Sequence, residues 1–135
     1  MKKLALLLLC VATLGLASCK KDTIVNQTTP NITIVKNITP SQWLPSSDGL
    51  TLSAEIRDNL IDKFHVDNEG TLVYISYNNG QSYIQLPFVY NIDAYSYEVY
   101  DGGLSIDIQS SDFQDRAPVR PSSNVRIKIV LIASE

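Results

Sequence analysis

The chain has 135 residues, eleven basic and fourteen acidic, for a formal charge of −3 at neutral pH, and its apolar content of 44% is ordinary for a globular protein. Scattered basic residues in an acidic chain lack the clustered cationic face that nucleic acid requires. Cys10 and Cys19 both fall near the amino terminus, so no disulfide or thiolate metal site serves the rest of the chain. About 95 residues from Pro40 onward suffice for one domain and not two.

Lys2 and Lys3 followed by an uninterrupted apolar run, Leu4 to Leu16, have the layout of an export signal. As a helix of about 13 residues the run reaches only ~20 Å, short of the ~30 Å hydrocarbon core, so it is no permanent span. The quartet Leu16-Ala17-Ser18-Cys19 closes it and resembles the bacterial lipobox. The resemblance implies cleavage between Ser18 and Cys19, a diacylglycerol thioether on Cys19, acylation of the freed amine by a chain such as palmitate, and a membrane partner. Two or three acyl chains hold far better than one, at ~0.8 kcal/mol per buried methylene.

Loss of residues 1–18 removes Lys2 and Lys3 and leaves a formal charge near −5. Residues 19–40 read as the lipidated cysteine and a Thr- and Asn-rich tether, with one strand at 32–36 docking on the edge of the domain. Lys20-Lys21-Asp22 resembles the start of lipoproteins from Bacteroidetes-type bacteria, which implies outer-membrane delivery, facing the periplasm or the cell surface. Asp22-Thr23-Ile24 resembles the three-residue O-glycosylation site of that group, implying modification of Thr23. The Asn-x-Thr triplets at Asn26, Asn31 and Asn37 read as coincidence in a Thr-rich linker.

Residues 41–135 read as a single antiparallel β-sandwich of about 7–9 short strands, an all-β fold. Period-two alternation is broken about every ten residues by turn residues such as Asp48-Gly49, Asn79-Gly80 and Asp101-Gly102. Leu50, Leu52, Ala54 and Ile56 alternate with polar residues. So do Phe64 and Val66 beside Lys63 and His65, and Val125, Ile127, Ile129 and Leu131 beside Arg126 and Lys128. Val130 and Ile132 give the last strand a second, partly covered face.

Two hairpins can be registered. A type I′ turn at Asn79-Gly80 sets Ile75 opposite Ile84 and Val73 opposite Leu86, with Tyr74, Ser76, Tyr83 and Gln85 on the other face. The same turn at Asp101-Gly102 sets Val99 opposite Leu104, Tyr97 opposite Ile106 and Tyr95 opposite Ile108. A slip of one residue would put every apolar group in water. Pro87 ends the ladder of its strand, and residues 114–124 form the longest loop.

His65, the only histidine, has no cysteine or acidic cluster at ligand spacing and reads as a solvated imidazole. Asp58 with Asp62, and Asp112 with Asp115, read as charged turns, lacking the ligand count of a calcium loop and the cleft of a glycosidase. No nucleophile elbow, phosphate loop or dinucleotide fingerprint occurs, and no catalytic residue, metal or cofactor is implied. Tyr74 and Tyr83, with Tyr100, fall outside the core and could stack on sugar rings, though cross-strand tyrosines also stabilise sheets unaided. Trp43, between Pro40 and Pro45, reads as a core plug at the domain entrance or as a ligand contact.

The order Trp43, Leu72 to Tyr77, Asn79-Gly80, Leu86-Pro87, a Tyr-rich strand, Gly102-Gly103 and a basic, apolar final strand resembles small lipoproteins of Bacteroidetes-type bacteria. That likeness carries no activity onto particular residues. The expectation is a non-enzymatic envelope lipoprotein whose exposed face or loops contact a protein or an envelope polysaccharide. The alternative is a surface carbohydrate-binding accessory using Tyr74, Tyr83 and Trp43.

Overall fold

The computed structural model describes residues 29–112 and 114–134, so the readings made on residues 1–28, including Cys19 and Thr23, lie outside the described residues. The strands in chain order are β1 Ile32–Ile38, β2 Leu44–Pro45, β3 Thr51–Arg57, β4 Gly70–Ser76, β5 Ile84–Gln85, β6 Phe88–Tyr90, β7 Asp93–Tyr100, β8 Gly103–Ser110 and β9 Val125–Ile132. They form two antiparallel sheets, a first in the order β1-β9-β4-β5 and a second in the order β2-β3-β8-β7-β6. The all-β sandwich and its strand number are as expected.

Alternation decides the core. Ile34 and Ile38 of β1, Val73 and Ile75 of β4, and Val125, Ile127, Ile129 and Leu131 of β9 are buried from the first sheet. Leu52, Ala54 and Ile56 of β3, with Leu104, Ile106 and Ile108 of β8, are buried from the second. Each fully buried Leu or Ile contributes about 1.5–3 kcal/mol of transfer free energy. Trp43, at the end of a 3₁₀ turn over Pro40–Gln42, joins this cluster with no exposed surface. Tyr97 ties the sheets together, its hydroxyl donating to the Thr71 carbonyl at 2.8 Å.

β1 is longer than the tether strand foreseen at 32–36. It pairs with β9 along its whole length, from Ile32 opposite Leu131 to Ile38 opposite Val125, so the folded unit takes in residues assigned to the tether. Lys36 lies on the inward side of this edge strand and bonds Asp58 at 2.9 Å, joining the first sheet to the turn after β3. A charge turned inward on an edge also discourages pairing with another chain.

Both hairpin registers are found: Ile75 faces Ile84, and Val99, Tyr97 and Tyr95 face Leu104, Ile106 and Ile108. Asn79 and Gly80 both have positive φ, 57° and 89°, as a type I′ turn needs. At Asp101-Gly102 only Gly102 does, at 94°, so that turn is not type I′ although its register is the same. Ile84 is a correction: it sits on a two-residue edge strand and is 45% exposed, with too little sheet beyond it to cover it. After Leu86 the chain crosses from the first sheet to the second at a cis Leu86–Pro87 bond, which is where Pro87 ends the ladder.

The alternation at residues 63–66 is the clearest misreading. Lys63–Asn68 is a helix, α1, capped by Asp62, whose side chain accepts the His65 amide hydrogen at 2.9 Å. Within the helix only His65 is buried, Ile61 being buried just ahead of the cap, while Phe64 and Val66 face solvent. His65 is therefore no solvated imidazole: it is 3% exposed, with Nδ1 2.5 Å from Glu69 and Nε2 2.9 Å from Thr71.

Candidate functional site

Two surfaces gather the residues that could recognise a ligand. The first is the outer face of the first sheet, where alternation turns Thr33, Val35 and Asn37 of β1, Arg126, Lys128 and Val130 of β9, and Leu72 and Tyr74 of β4 away from the core. Among the described residues no acidic side chain of these strands stands on it. Tyr74 and Tyr83 lie here together, as the hairpin register requires. Lys128, opposite Tyr74 on β9, fills the space between them. Its Nζ is 4.4 Å from the Tyr74 ring centroid and 4.3 Å from that of Tyr83. Each cation–π contact contributes about 0.5–1 kcal/mol at an exposed site, and each ring spends a face on it. A sugar stacking there would have to displace the ammonium. Trp43, the third residue suggested for ligand contact, is fully buried and reaches no surface. Tyr100 is packed against Arg57, whose guanidinium carbon lies 4.9 Å from its ring centre.

The second surface is concave and was not foreseen. Three hollows of about 470, 280 and 400 Å³ share Tyr77 as a common wall. On one side the groove is amide-rich, with Asn37, Asn78, Asn79, Asn124 and Arg126. On the other it is apolar, with Ile84, Phe88, Tyr90 and Tyr95. Asp93, Arg120 and the serines of the long loop lie between. Clefts of this size that combine aromatic walls with a few polar groups are the usual form of a small-ligand site.

Local chemistry holds each wall in place. Ser76 Oγ accepts the Gly80 amide at 2.8 Å and donates to Asn78 Oδ1 at 2.9 Å, which in turn accepts the Ser82 amide. Arg126 donates to the Asn79 carbonyl at 3.1 Å and leans on Asn37 Oδ1 at 3.4 Å, fastening the hairpin tip to β9 and β1. Across the groove, Phe88 and Tyr95 stack with centroids 4.6 Å apart and planes 6° from parallel, following their pairing between β6 and β7. The chain reverses at Asn91, whose φ of 55° is tolerated by its short side chain, and this leaves Tyr90 at the lip, 65% exposed.

The long loop, residues 114–124, is pinned by Asp93. Its Oδ1 accepts from Arg116 at 2.7 Å and its Oδ2 from the Val119 amide at 3.2 Å, and the Ser111 amide bonds the Ile92 carbonyl at 2.7 Å. Asp93, the only carboxylate lining the groove among the described residues, thus has both oxygens engaged within the protein. Arg120 and Arg126 have no carboxylate partner among the described residues. Burial, and then the Tyr95 hydroxyl beside it, pushes the Tyr77 phenol far above its usual range, so it stays a neutral hydrogen-bonding group.

Three of the four carboxylates read as charged turns, Asp58, Asp62 and Asp112, do serve turns or caps. Asp58 accepts the Leu60 amide, Asp62 caps α1, and Asp112 accepts from Ser110 and the Gln114 amide. Tyr77 and Tyr90 were passed over, although each directly precedes an asparagine at a reversal of the chain, a position that sets a ring at the mouth of a loop. No protein-family model, curated protein or solved structure matches the chain.

Proposed function

We propose that this is a lipid-anchored envelope protein, held in the outer membrane through Cys19, whose β-sandwich is a non-enzymatic binding module working through the groove at Tyr77. The observation that carries this reading is the direction of β1. The anchor attaches before Ile32, where the strand begins, while Asn37 near its other end lines the groove. Five residues of extended strand separate the two by about 17 Å. The groove therefore lies toward the end of β1 remote from the attachment point, as suits a module reaching out from a membrane. From Cys19 to Ile32 the chain can extend at most ~40 Å at ~3.3 Å per residue, enough to lift the sandwich clear of lipid headgroups.

The carbohydrate-accessory reading shifts from Tyr74, Tyr83 and Trp43 to this groove, because two of the three are occupied with Lys128 and the third is buried. The anchor is tested by replacing Cys19 with Ala and following fatty-acid label and cell fraction. The native chain takes up label and sediments with outer membranes, and Cys19→Ala is unlabelled and soluble. An unmodified Cys19 in the native protein overturns the anchoring.

A further inference from the structure

We infer that the groove around Tyr77 is a binding site for an acidic oligosaccharide, a conclusion that rests on the binding-module reading and gives it a ligand class. Three features of the groove converge on that chemistry. Tyr77 and Tyr90 are 44% and 65% exposed at its mouth and offer ring surface to the C–H faces of pyranose rings. Asn37, Asn79 and Asn124 line the adjoining hollow, and a side-chain amide both donates and accepts and so suits vicinal hydroxyls, although the Asn37 oxygen also takes a bond from Arg126.

Charge supplies the rest. The chain as a whole is negative, yet among the described residues the one carboxylate lining the groove is tied to Arg116, while Arg120 and Arg126 line it without a carboxylate partner, Arg126 also bonding the Asn79 carbonyl and Asn37. A planar guanidinium binds a carboxylate or sulfate by two parallel hydrogen bonds. The ligand is therefore a sugar chain bearing such groups. Nucleic acid would demand a longer cationic track.

The test is calorimetry on the mature full-length protein in detergent, titrated with hexagalacturonate, with neutral maltohexaose and with hexaglutamate. Hexagalacturonate binds, and the neutral sugar binds about tenfold more weakly or worse. Tyr90→Ala, at an exposed position that leaves the fold intact, lowers the affinity about tenfold. Arg120→Gln lowers it by about fivefold and flattens its decline as salt is raised to about 0.5 M. Equal binding of maltohexaose with no effect of Arg120→Gln overturns the acidic specificity. Tighter binding of hexaglutamate makes the groove an acidic-peptide site, and no binding by any of the three overturns the ligand class. None of these readouts depends on acylation, so failure of the anchor would show in the fractionation and not here.

Discussion

Replacing Asp93 with Ala should loosen the wall of the groove that the long loop supplies. The side chain makes two contacts. Its bond to Arg116 at 2.7 Å is charge-assisted, a class that contributes about 1.5–3 kcal/mol. Arg116 is 31% exposed and regains water when released, which moves this contact toward the low end. The Val119 amide, at 3.2 Å, adds about 0.5–1.5 kcal/mol. A total loss of about 2–3 kcal/mol follows, and with about 4–8 °C of melting temperature per kcal/mol in a domain of this size the midpoint falls by roughly 10–20 °C. The assay is urea unfolding of Asp93→Ala, Arg116→Met and the double variant, together with trypsin cleavage of Asp93→Ala. The pair should show about 1 kcal/mol of coupling. Cleavage at Arg116–Ala117 should quicken well before global unfolding, whereas Arg120 is shielded by the proline that follows it. Coupling below about 0.3 kcal/mol with an unchanged cleavage rate would refute the pinning role.

Other outcomes follow from the same structure. A Cβ on Gly103 would lie 2.2 Å from the Ile56 carbonyl oxygen, whereas one on Gly102 meets nothing within 4 Å. Thermal melts should therefore show Gly103→Ala losing about 3 kcal/mol or more and Gly102→Ala only the ~1–2 kcal/mol of its positive φ; the reverse order contradicts the packing. The Lys36 ammonium, and then the Leu60 amide, hold the Asp58 carboxyl below its ordinary 3.8. That stabilisation is present above pH 3.8 and is lost as pH falls through the lowered native value, so Asp58→Asn should flatten the acid limb of the stability curve. An unchanged acid limb argues against the Lys36 contact. Asp62→Ala removes the cap of α1 and should cost about 1 kcal/mol by denaturant titration, with faster amide exchange at His65 as its local sign.

The strands and both hairpin registers were legible because each depends on neighbours in sequence: a turn residue of the right kind and a polarity that repeats every second position. Asp101-Gly102 shows that register is fixed more firmly than turn type, since alternation in β7 and β8 sets the pairing whichever turn joins them. Where distant residues decide, the reading failed. Alternation at Phe64 and Val66 masked a helix of six residues, and the burial of His65 follows from the fold around that helix, with Glu69 and Thr71 taking its two ring nitrogens. Tyr74 and Tyr83 were rightly placed together, but Lys128, which closes the gap between them, comes from β9 over fifty positions away from Tyr74. The groove was hidden for the same reason. Asn37, Tyr77, Tyr90 and Arg120 belong to different elements, and only the stacking of the two sheets makes them walls of one cleft.

The most direct test of the account is an amide-resolved NMR titration of the mature protein with hexagalacturonate. The account predicts shifts at Tyr77 to Gly80, at Tyr90 and Asn91, and at Ser122 to Asn124, with Tyr74, Tyr83 and Lys128 left still. Shifts centred on those three residues instead, or none anywhere, would contradict it.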